Sequence, residues 1–177
     1  MKLIILGSPG TGKGTAAHLL SKKLKLKHIC TGDLFRKEYT KKTKIGLHAY
    51  SYWGKGNLVP SKITIFLTHS VLPSKNYILD GYPRNLTQAK ALEKKQPTDY
   101  VLYLKTPSAI VVKRLLHRAK IEGRKDDTLP VIKNRLHVYH KETQPLLTFY
   151  KKKLILINGN QSIDKVLKDL LLALQTT

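Results

Sequence analysis

A glycine-rich stretch directly after a short apolar run constrains the fold of this chain more than any other feature. The run from Lys2 to Leu6 is apolar after its first residue and partly β-branched, which is typical of a buried strand. The glycine-rich stretch extends from Gly7 to Thr15. Within the segment from Lys13 to Leu24, the apolar residues fall on one face of a helix. A strand, a glycine loop and a helix in this order open a βαβ unit, so the sequence predicts an α/β fold.

Later segments repeat the same alternation. Further buried strands are predicted at Tyr77 to Leu79, Tyr100 to Leu104 and Leu154 to Ile157, with helical stretches between them. Apolar residues spaced by three and four from Ile163 to Leu174 predict a closing amphipathic helix. We therefore expect a three-layer phosphate-loop fold, in which helices flank a parallel central sheet.

Two segments fit this alternation poorly. Residues 30–59 are rich in Lys, Gly and Tyr, and residues 118–128 are polar. Long polar excursions from a compact α/β core are uncommon unless they are lids or binding loops, so we expect both segments to move. The whole chain, 1–177, is predicted to be one domain whose core comprises 1–29, 60–117 and 129–177.

Composition excludes several functional classes. Leu3 to Leu6 is too short for a signal peptide, and no apolar run is long enough to span a membrane, so we expect a cytoplasmic protein with no membrane segment. A single cysteine, Cys30, makes an internal disulfide impossible. The net charge of +22 permits nucleic-acid binding, although no nucleic-acid motif accompanies it.

The spacing of Gly7, Gly12 and Lys13 is that of a phosphate-binding loop. Backbone N–H groups freed by the glycines can surround a phosphate, the following helix presents its N-terminus to the anion, and Lys13 can reach the outer phosphates. Gly14 follows the lysine, so the hydroxyl of Thr15 comes one place later than in the general pattern. The expected ligand is a nucleoside triphosphate.

Further motifs follow this loop in a fixed order. They are Thr31-Gly32-Asp33-Leu34-Phe35-Arg36, Gly56-Asn57-Leu58-Val59-Pro60, Asp80-Gly81-Tyr82-Pro83-Arg84, and the set Arg114, Arg118, Gly123-Arg124, Asp126-Asp127 and Arg135. Together with Gly7 to Thr15, these motifs resemble the adenylate kinase family over nearly the whole chain. The resemblance makes 30–59 the insertion that binds the nucleoside monophosphate and 118–128 a short lid.

The resemblance also implies a role for each matched residue. The catalytic residues would be Lys13, Arg84, Arg118, Arg124 and Arg135. ATP would contact Gly10, Thr11, Gly12, Lys13, Gly14, Thr15, Arg114, Arg118 and Gln161. AMP would contact Thr31, Arg36, Asn57, Leu58, Val59, Gly81, Tyr82, Pro83, Arg84, Gln88, Arg124 and Arg135. Asp80, with a weaker contribution from Asp33, would hold Mg²⁺ through bound water.

The implied reaction is Mg²⁺-dependent, reversible phosphoryl transfer from ATP to AMP, which yields two ADP. Arginines and one lysine suit this chemistry, because it depends mostly on positioning and on neutralising negative charge. The lid is too short for the zinc-binding hairpin of long-lid relatives, so no zinc is expected, and the resemblance implies a monomer.

Two alternatives stay open. Pro83-Arg84-Asn85 also matches kinases that prefer UMP or CMP, whereas Thr31 and Gln88 favour AMP, because the Gln88 amide can donate to and accept from the edge of adenine. The second alternative is a basic nucleic-acid-binding module that uses its phosphate loop to sense nucleotides.

Overall fold

A computed structural model describes residues 1–123 and 128–175 of the chain. The strands are β1 (Lys2–Leu6), β2 (Lys27–Cys30), β3 (Tyr77–Asp80), β4 (Tyr100–Lys105) and β5 (Leu154–Asn158). The α-helices are α1 (Lys13–Leu24), α2 (Thr31–Thr40), α3 (Lys44–Trp53), α4 (Ser61–Ser70), α5 (Leu86–Lys95), α6 (Ser108–Glu122), α7 (Leu129–Val138), α8 (Pro145–Phe149) and α9 (Ile163–Gln175). A π-helical turn, Tyr139–Thr143, precedes α8, and a 3₁₀ turn, Lys151–Lys153, precedes β5.

The strands form one parallel sheet in the order β2-β3-β1-β4-β5. Strand β1 is central, with Ile4 opposite Leu79 of β3 and Val101 of β4. This architecture confirms the predicted α/β fold with helices on a parallel sheet. Strand β2 was not among the predicted strands, and it lies at the edge of the sheet beside β3.

Both faces of β1 are buried, which explains its unbroken apolar sequence. Leu3 and Ile5 lie in a core cluster with residues of α1 and α9. Ile4 and Leu6 point to the other face, into a cluster with residues of α5 and α8. A strand covered by helices on both faces has no polar side, so it shows no alternation of polar and apolar residues.

The segment predicted as a polar excursion over 30–59 is largely helical. It contains α2 and α3, which pack on each other around a small cluster of their own that includes Phe35, Ala49 and Val59. The helices approach closely at Gly46, where an added Cβ would lie 2.2 Å from the carbonyl carbon of Glu38. The segment therefore has a packed interior, which Ile63 and Leu67 of α4 extend, while its Leu34 packs against the sheet cluster that contains Ile4.

The second predicted excursion, 118–128, begins inside a helix. Residues 118–122 are the last residues of α6, and Gly123 follows with a positive φ of 60°. The predicted site residue Arg124, with Lys125, Asp126 and Asp127, lies outside the described residues. Over 1–123 and 128–175, no helix combines the length and the apolar character needed to cross a membrane.

Gly46→Ala tests the close contact of α2 with α3. The added methyl group has no space against the backbone of α2, so we expect the free energy of unfolding to fall by about 3 kcal/mol, as in other overpacked sites. The matched control is Leu47→Ala on the exposed side of the same helix, for which we expect a loss below about 1 kcal/mol. Urea unfolding measures both values, and equal losses in the two variants would contradict the proposed contact.

Candidate active site

The glycine loop lies at the carboxyl end of β1 and is fixed against two neighbours. An added Cβ on Gly7 would lie 2.7 Å from the Leu104 carbonyl oxygen, and one on Gly10 would lie 2.7 Å from the Val111 carbonyl oxygen. Both glycines also have positive φ, 150° and 83° respectively. Any side chain would therefore push the loop away from β4 or α6, so the loop geometry requires glycine at both places.

Lys13, at the start of α1, extends back over the loop. Its Nζ donates to the Ser8 carbonyl oxygen at 2.8 Å, and the Thr11 hydroxyl donates to the same oxygen at 3.0 Å. Desolvation lowers the pKa of Lys13 to about 8, and the charges of Arg84 and Arg118 act in the same direction, against the effect of Asp80. The ammonium is held in place before any phosphate arrives, and it lies among other positive charges.

Asp80 ends β3 beside the first turn of α1. An added Cβ on Gly14 would lie 3.3 Å from Asp80 Oδ2, and His28 Nε2 lies 3.7 Å from the same oxygen. Burial opposes ionisation of this carboxyl group, but His28, Lys13 and Arg84 together bring the pKa of Asp80 below its ordinary value. An ionised carboxylate next to a phosphate loop is a donor that suits Mg²⁺ and its bound water, so Asp80 fits the expected metal.

Asp33 has a different environment from Asp80. Its side chain is about two-thirds exposed and forms an ion pair with Arg36, one turn along α2. That pair positions the Arg36 guanidinium group at the beginning of the helix, where it was predicted to meet a phosphate. The contribution of Asp33 to metal binding stays a prediction, and it would compete with this ion pair.

The loop after β3 carries Arg84, and Gln88 lies in the first turn of α5. Arg84 Nε donates to the Gly81 carbonyl oxygen at 3.1 Å, and the Arg84 backbone N–H donates to Gln88 Oε1 at 2.8 Å. Asn85 caps α5 by accepting from the Gln88 backbone N–H at 3.0 Å. The acceptor oxygen of Gln88 is thus already used within the protein, and its NH₂ group, which donates to Ser61 Oγ at 3.4 Å, is the part of the amide that can still turn to a bound base.

Tyr82 and Thr31 complete the walls on this side. Tyr82 is fully buried, and its hydroxyl lies 2.9 Å from His69 Nε2 of α4 and donates to the Gln88 carbonyl oxygen at 3.2 Å. Thr31 begins α2, is 4% exposed, and its hydroxyl has no hydrogen-bond partner among the described residues. A buried hydroxyl without a partner is costly, and a bound base would supply one.

On the donor side, Arg114 joins two segments. Its Nη1 donates to the Gly159 carbonyl oxygen at 3.1 Å and lies 3.4 Å from the Thr11 carbonyl oxygen. The guanidinium group therefore lies between the glycine loop and the turn after β5. Gln161, also predicted to contact ATP, donates from its Nε2 to Asp169 of α9 at 2.6 Å.

Helix α7 brings the end of the insertion to the same cleft. Asn134 Nδ2 donates to the Lys55 carbonyl oxygen at 2.7 Å and to Asn57 Oδ1 at 2.9 Å. An added Cβ on Gly56 would lie 3.2 Å from Arg135 Cγ. The structure thus places Arg135 beside the segment that contains Asn57, Leu58 and Val59. Asn134 is a site residue that the sequence analysis missed.

The electrostatics show that the cationic side chains act on one another. Arg84 and Arg118 both lower the pKa of Lys13. Desolvation lowers the pKa of Arg84, and Arg36 and Arg135 add to this effect, whereas Asp80 opposes it. Side chains from α1, α2, α6, α7 and the loop after β3 therefore converge on one cleft. Such a cluster attracts a polyanion, and bringing two phosphate chains together is the chemistry that it suits.

Comparisons with known proteins agree with this geometry. The sequence profile of the family described as adenylate kinase matches residues 5–155. An adenylate kinase of Cyanothece sp. (strain PCC 7425 / ATCC 29141) is 46% identical, over 90% of this chain and 88% of its own. Those of Clostridium novyi (strain NT) and Xylella fastidiosa (strain 9a5c) are both 40% identical; the first alignment covers 94% of each chain, and the second covers 98% of this chain and 99% of the relative. With the fold, the loop and its cations in place, these matches over nearly the full length show that the chain belongs to the adenylate kinase family.

Proposed function

We propose that this protein transfers a phosphoryl group reversibly from ATP to AMP, with Mg²⁺, and forms two ADP. The observation that carries the proposal is the convergence of lysine and arginine side chains from separate elements on the glycine loop. Two nucleotides bring several negative charges to one place, and a rigid set of cations neutralises them there. One copy of the chain contributes all these residues, so the proposal requires no second copy.

The donor triphosphate binds at the glycine loop. Backbone N–H groups of residues 10–15 surround the phosphates at the N-terminus of α1, and Lys13 meets the outer phosphates. Arg118 lies on the same side, near the end of α6. Arg114 already hydrogen-bonds two carbonyl oxygens beside the loop, and it supports the donor base and ribose there. Gln161, on the turn after β5, also contacts ATP.

The acceptor monophosphate binds between the insertion and the core. Arg36 and Arg84 hold its phosphate. Its base lies between the Thr31 hydroxyl, the segment 57–59 and the NH₂ group of Gln88, with the turn 81–83 as the floor. Thr31 can hydrogen-bond the base, since its buried hydroxyl has no partner among the residues that the structure describes.

Catalysis on this view is positioning and charge neutralisation. The acceptor phosphate is already an anion, so the reaction needs no general base. Lys13, Arg84, Arg118, Arg124 and Arg135 surround the transferring group and hold the attacking and leaving oxygens in line. Asp80 would hold the water ligands of Mg²⁺, which would neutralise phosphate charge when bound with ATP. The insertion over 30–59 and the lid over 118–128 close on the core and exclude water, which prevents hydrolysis.

The primary test measures diphosphate formation from ATP and Mg²⁺ with AMP, UMP, CMP or GMP. We expect turnover with AMP, and a loss of about a hundredfold or more in kcat/KM for Arg84→Ala, because a cation next to the transferring group is removed. Lys90→Ala, an exposed lysine of α5, is the matched control and should retain activity. Faster turnover with UMP or CMP would show that the preferred acceptor is that nucleotide and not AMP. No turnover with any of the four acceptors would contradict the proposal.

Asn134→Ala tests the contact between α7 and the acceptor segment. The variant loses both amide hydrogen bonds to Lys55 and Asn57, so we expect KM for AMP to rise about fivefold, with KM for ATP little changed. Lys133→Ala, exposed on the same helix and outside the cavity that Asn134 lines, is the control. Steady-state kinetics measure both constants, and an unchanged KM for AMP would show that the contact does not support acceptor binding.

The pH dependence of ATP use tests the environment of Lys13. Its pKa is lowered to about 8 in the free protein, so the ammonium loses its proton as pH rises through that value. We expect kcat/KM for ATP to fall above about pH 8. Bound phosphates favour the charged lysine, so the fall in kcat should come at higher pH. Constant kcat/KM for ATP up to pH 10 would contradict a lowered pKa at this lysine.

A further inference from the structure

Eleven of the 33 lysine and arginine residues of the chain lie at one edge of the sheet, opposite the candidate active site. Because all strands are parallel, the segments that precede them meet at their amino ends. These segments, with the last turns of α1 and α5, carry many of the lysines of the chain. We call this set the lysine edge: Lys2, Lys22, Lys23, Lys25, Lys27, Lys75, Lys94, Lys95, Lys151, Lys152 and Lys153.

The hydrogen bonds at this edge show that the segments adjoin. The Lys27 backbone N–H donates to the Asn76 carbonyl oxygen, and the Tyr77 backbone N–H donates to the Met1 carbonyl oxygen. The Lys2 backbone N–H donates to Asp99 Oδ2 at 2.7 Å. Side chains of the lysine edge are exposed, apart from those of Lys2 and Lys153, which are half-buried.

Few acidic groups balance this charge. Lys153 Nζ lies 2.8 Å from Glu93 Oε2, and no other side chain of the lysine edge forms an ion pair with a carboxylate in residues 1–123 and 128–175. Asp99 accepts from backbone N–H at this edge. The ordinary role of lysine at a helix C-terminus accounts for the members in the last turns of α1 and α5. The same role covers Lys25, the C-cap residue of α1, but it does not account for Lys27, Lys75 or the lysines of 151–153.

We propose that the lysine edge binds the phosphate backbone of nucleic acid. Strands lie about 4.8 Å apart, so the edge from β2 to β5 is about 19 Å wide, the length of about five phosphates along one strand of a duplex. Among the described residues, Lys153 is the one member that forms an ion pair, and Lys27 Nζ donates to the Val71 carbonyl oxygen at 3.0 Å. A line of ammonium groups of this length matches a line of phosphates, and it needs no base-specific contact.

The surface suits nucleic acid better than a membrane. Charge alone attracts a basic surface to anionic lipid, and stable attachment adds an apolar face or a lipid chain. Here the residues that begin β3, β4 and β5 between the lysines are Tyr77, which is fully buried, and Tyr100 and Leu154, which are half-buried. The exposed apolar side chains next to this edge in the described sequence are Met1 and Phe149, at 39% and 40% exposure. So small an apolar surface favours a ligand that is itself a line of charges.

The test compares two variants of equal net charge. The edge variant carries Lys25→Gln, Lys75→Gln, Lys95→Gln and Lys152→Gln. The control variant carries Lys62→Gln, Lys90→Gln, Lys165→Gln and Lys168→Gln, all exposed and all outside the lysine edge. The probes are a fluorescein-labelled single-stranded RNA and a DNA duplex of the same sequence, titrated at several salt concentrations, with and without saturating ADP.

We expect Kd for the RNA and the duplex to rise about tenfold or more in the edge variant, and by less than about threefold in the control. For the single-stranded RNA, the slope of the logarithm of the association constant against the logarithm of the salt concentration should become shallower by about 3 in the edge variant. ADP should not displace either probe. Both variants should keep ADP formation from ATP and AMP, which reports the fold, because neither alters the candidate active site.

Several outcomes would overturn the proposal. Equal losses in the two variants would mean that only the total charge matters. Displacement of the probes by ADP would show that they bind in the active-site cleft and not at the lysine edge. The absence of RNA and DNA binding at low salt would exclude nucleic acid as the ligand. Tighter binding to vesicles of phosphatidylcholine and phosphatidylglycerol would identify a membrane surface instead. If the edge variant fails to fold, Lys75→Gln with Lys152→Gln against Lys62→Gln with Lys168→Gln makes the same comparison.

Discussion

The hydrogen bonds that hold β1 between β3 and β4 position most of the candidate site. They bring the end of β3, with Asp80, next to the first turn of the helix that follows β1. On the other side they bring β4 so close that its Leu104 carbonyl oxygen touches Gly7. The glycine loop has a fixed shape because the sheet fixes both its neighbours. Chemistry at this loop therefore depends on sheet packing, and damage to the core would reach the phosphate site.

The cations of the cleft repel one another in the free protein. At Lys13 desolvation is the main cause of the pKa of about 8, and the charges of Arg84 and Arg118 lower the pKa further. Phosphates relieve the repulsion, so part of the energy of nucleotide binding is the removal of an unfavourable interaction already present in the fold. The same relief stabilises the folded state, since nucleotide binds it and not the unfolded chain.

Sequence patterns predicted the strands that are buried on both faces, because an unbroken apolar run is a strong signal. They missed β2, since Lys27-His28-Ile29-Cys30 lies at an edge and buries only Ile29 fully. Motifs predicted the site residues, and the structure brings Lys13, Arg84 and Arg118 together, while the roles of the predicted residues in binding and catalysis stay predictions. The use of the Gln88 oxygen by the Arg84 backbone, and the bonds from Asn134 to a segment 79 residues away, depend on tertiary contact and leave no local pattern.

Gly56 has a consequence for how the acceptor segment moves. Its φ of 82° is a local requirement of the turn, and the Val131 carbonyl oxygen would lie 2.9 Å from an added Cβ. The lack of space for a Cβ beside the Val131 carbonyl oxygen exists only while the segment is docked on α7. A single methyl group at this position would act as a wedge between the two segments, and it would also press on Arg135, whose Cγ would lie 3.2 Å from the added Cβ. Docking of the acceptor segment and the placement of a predicted phosphate-binding side chain are therefore coupled at one backbone position.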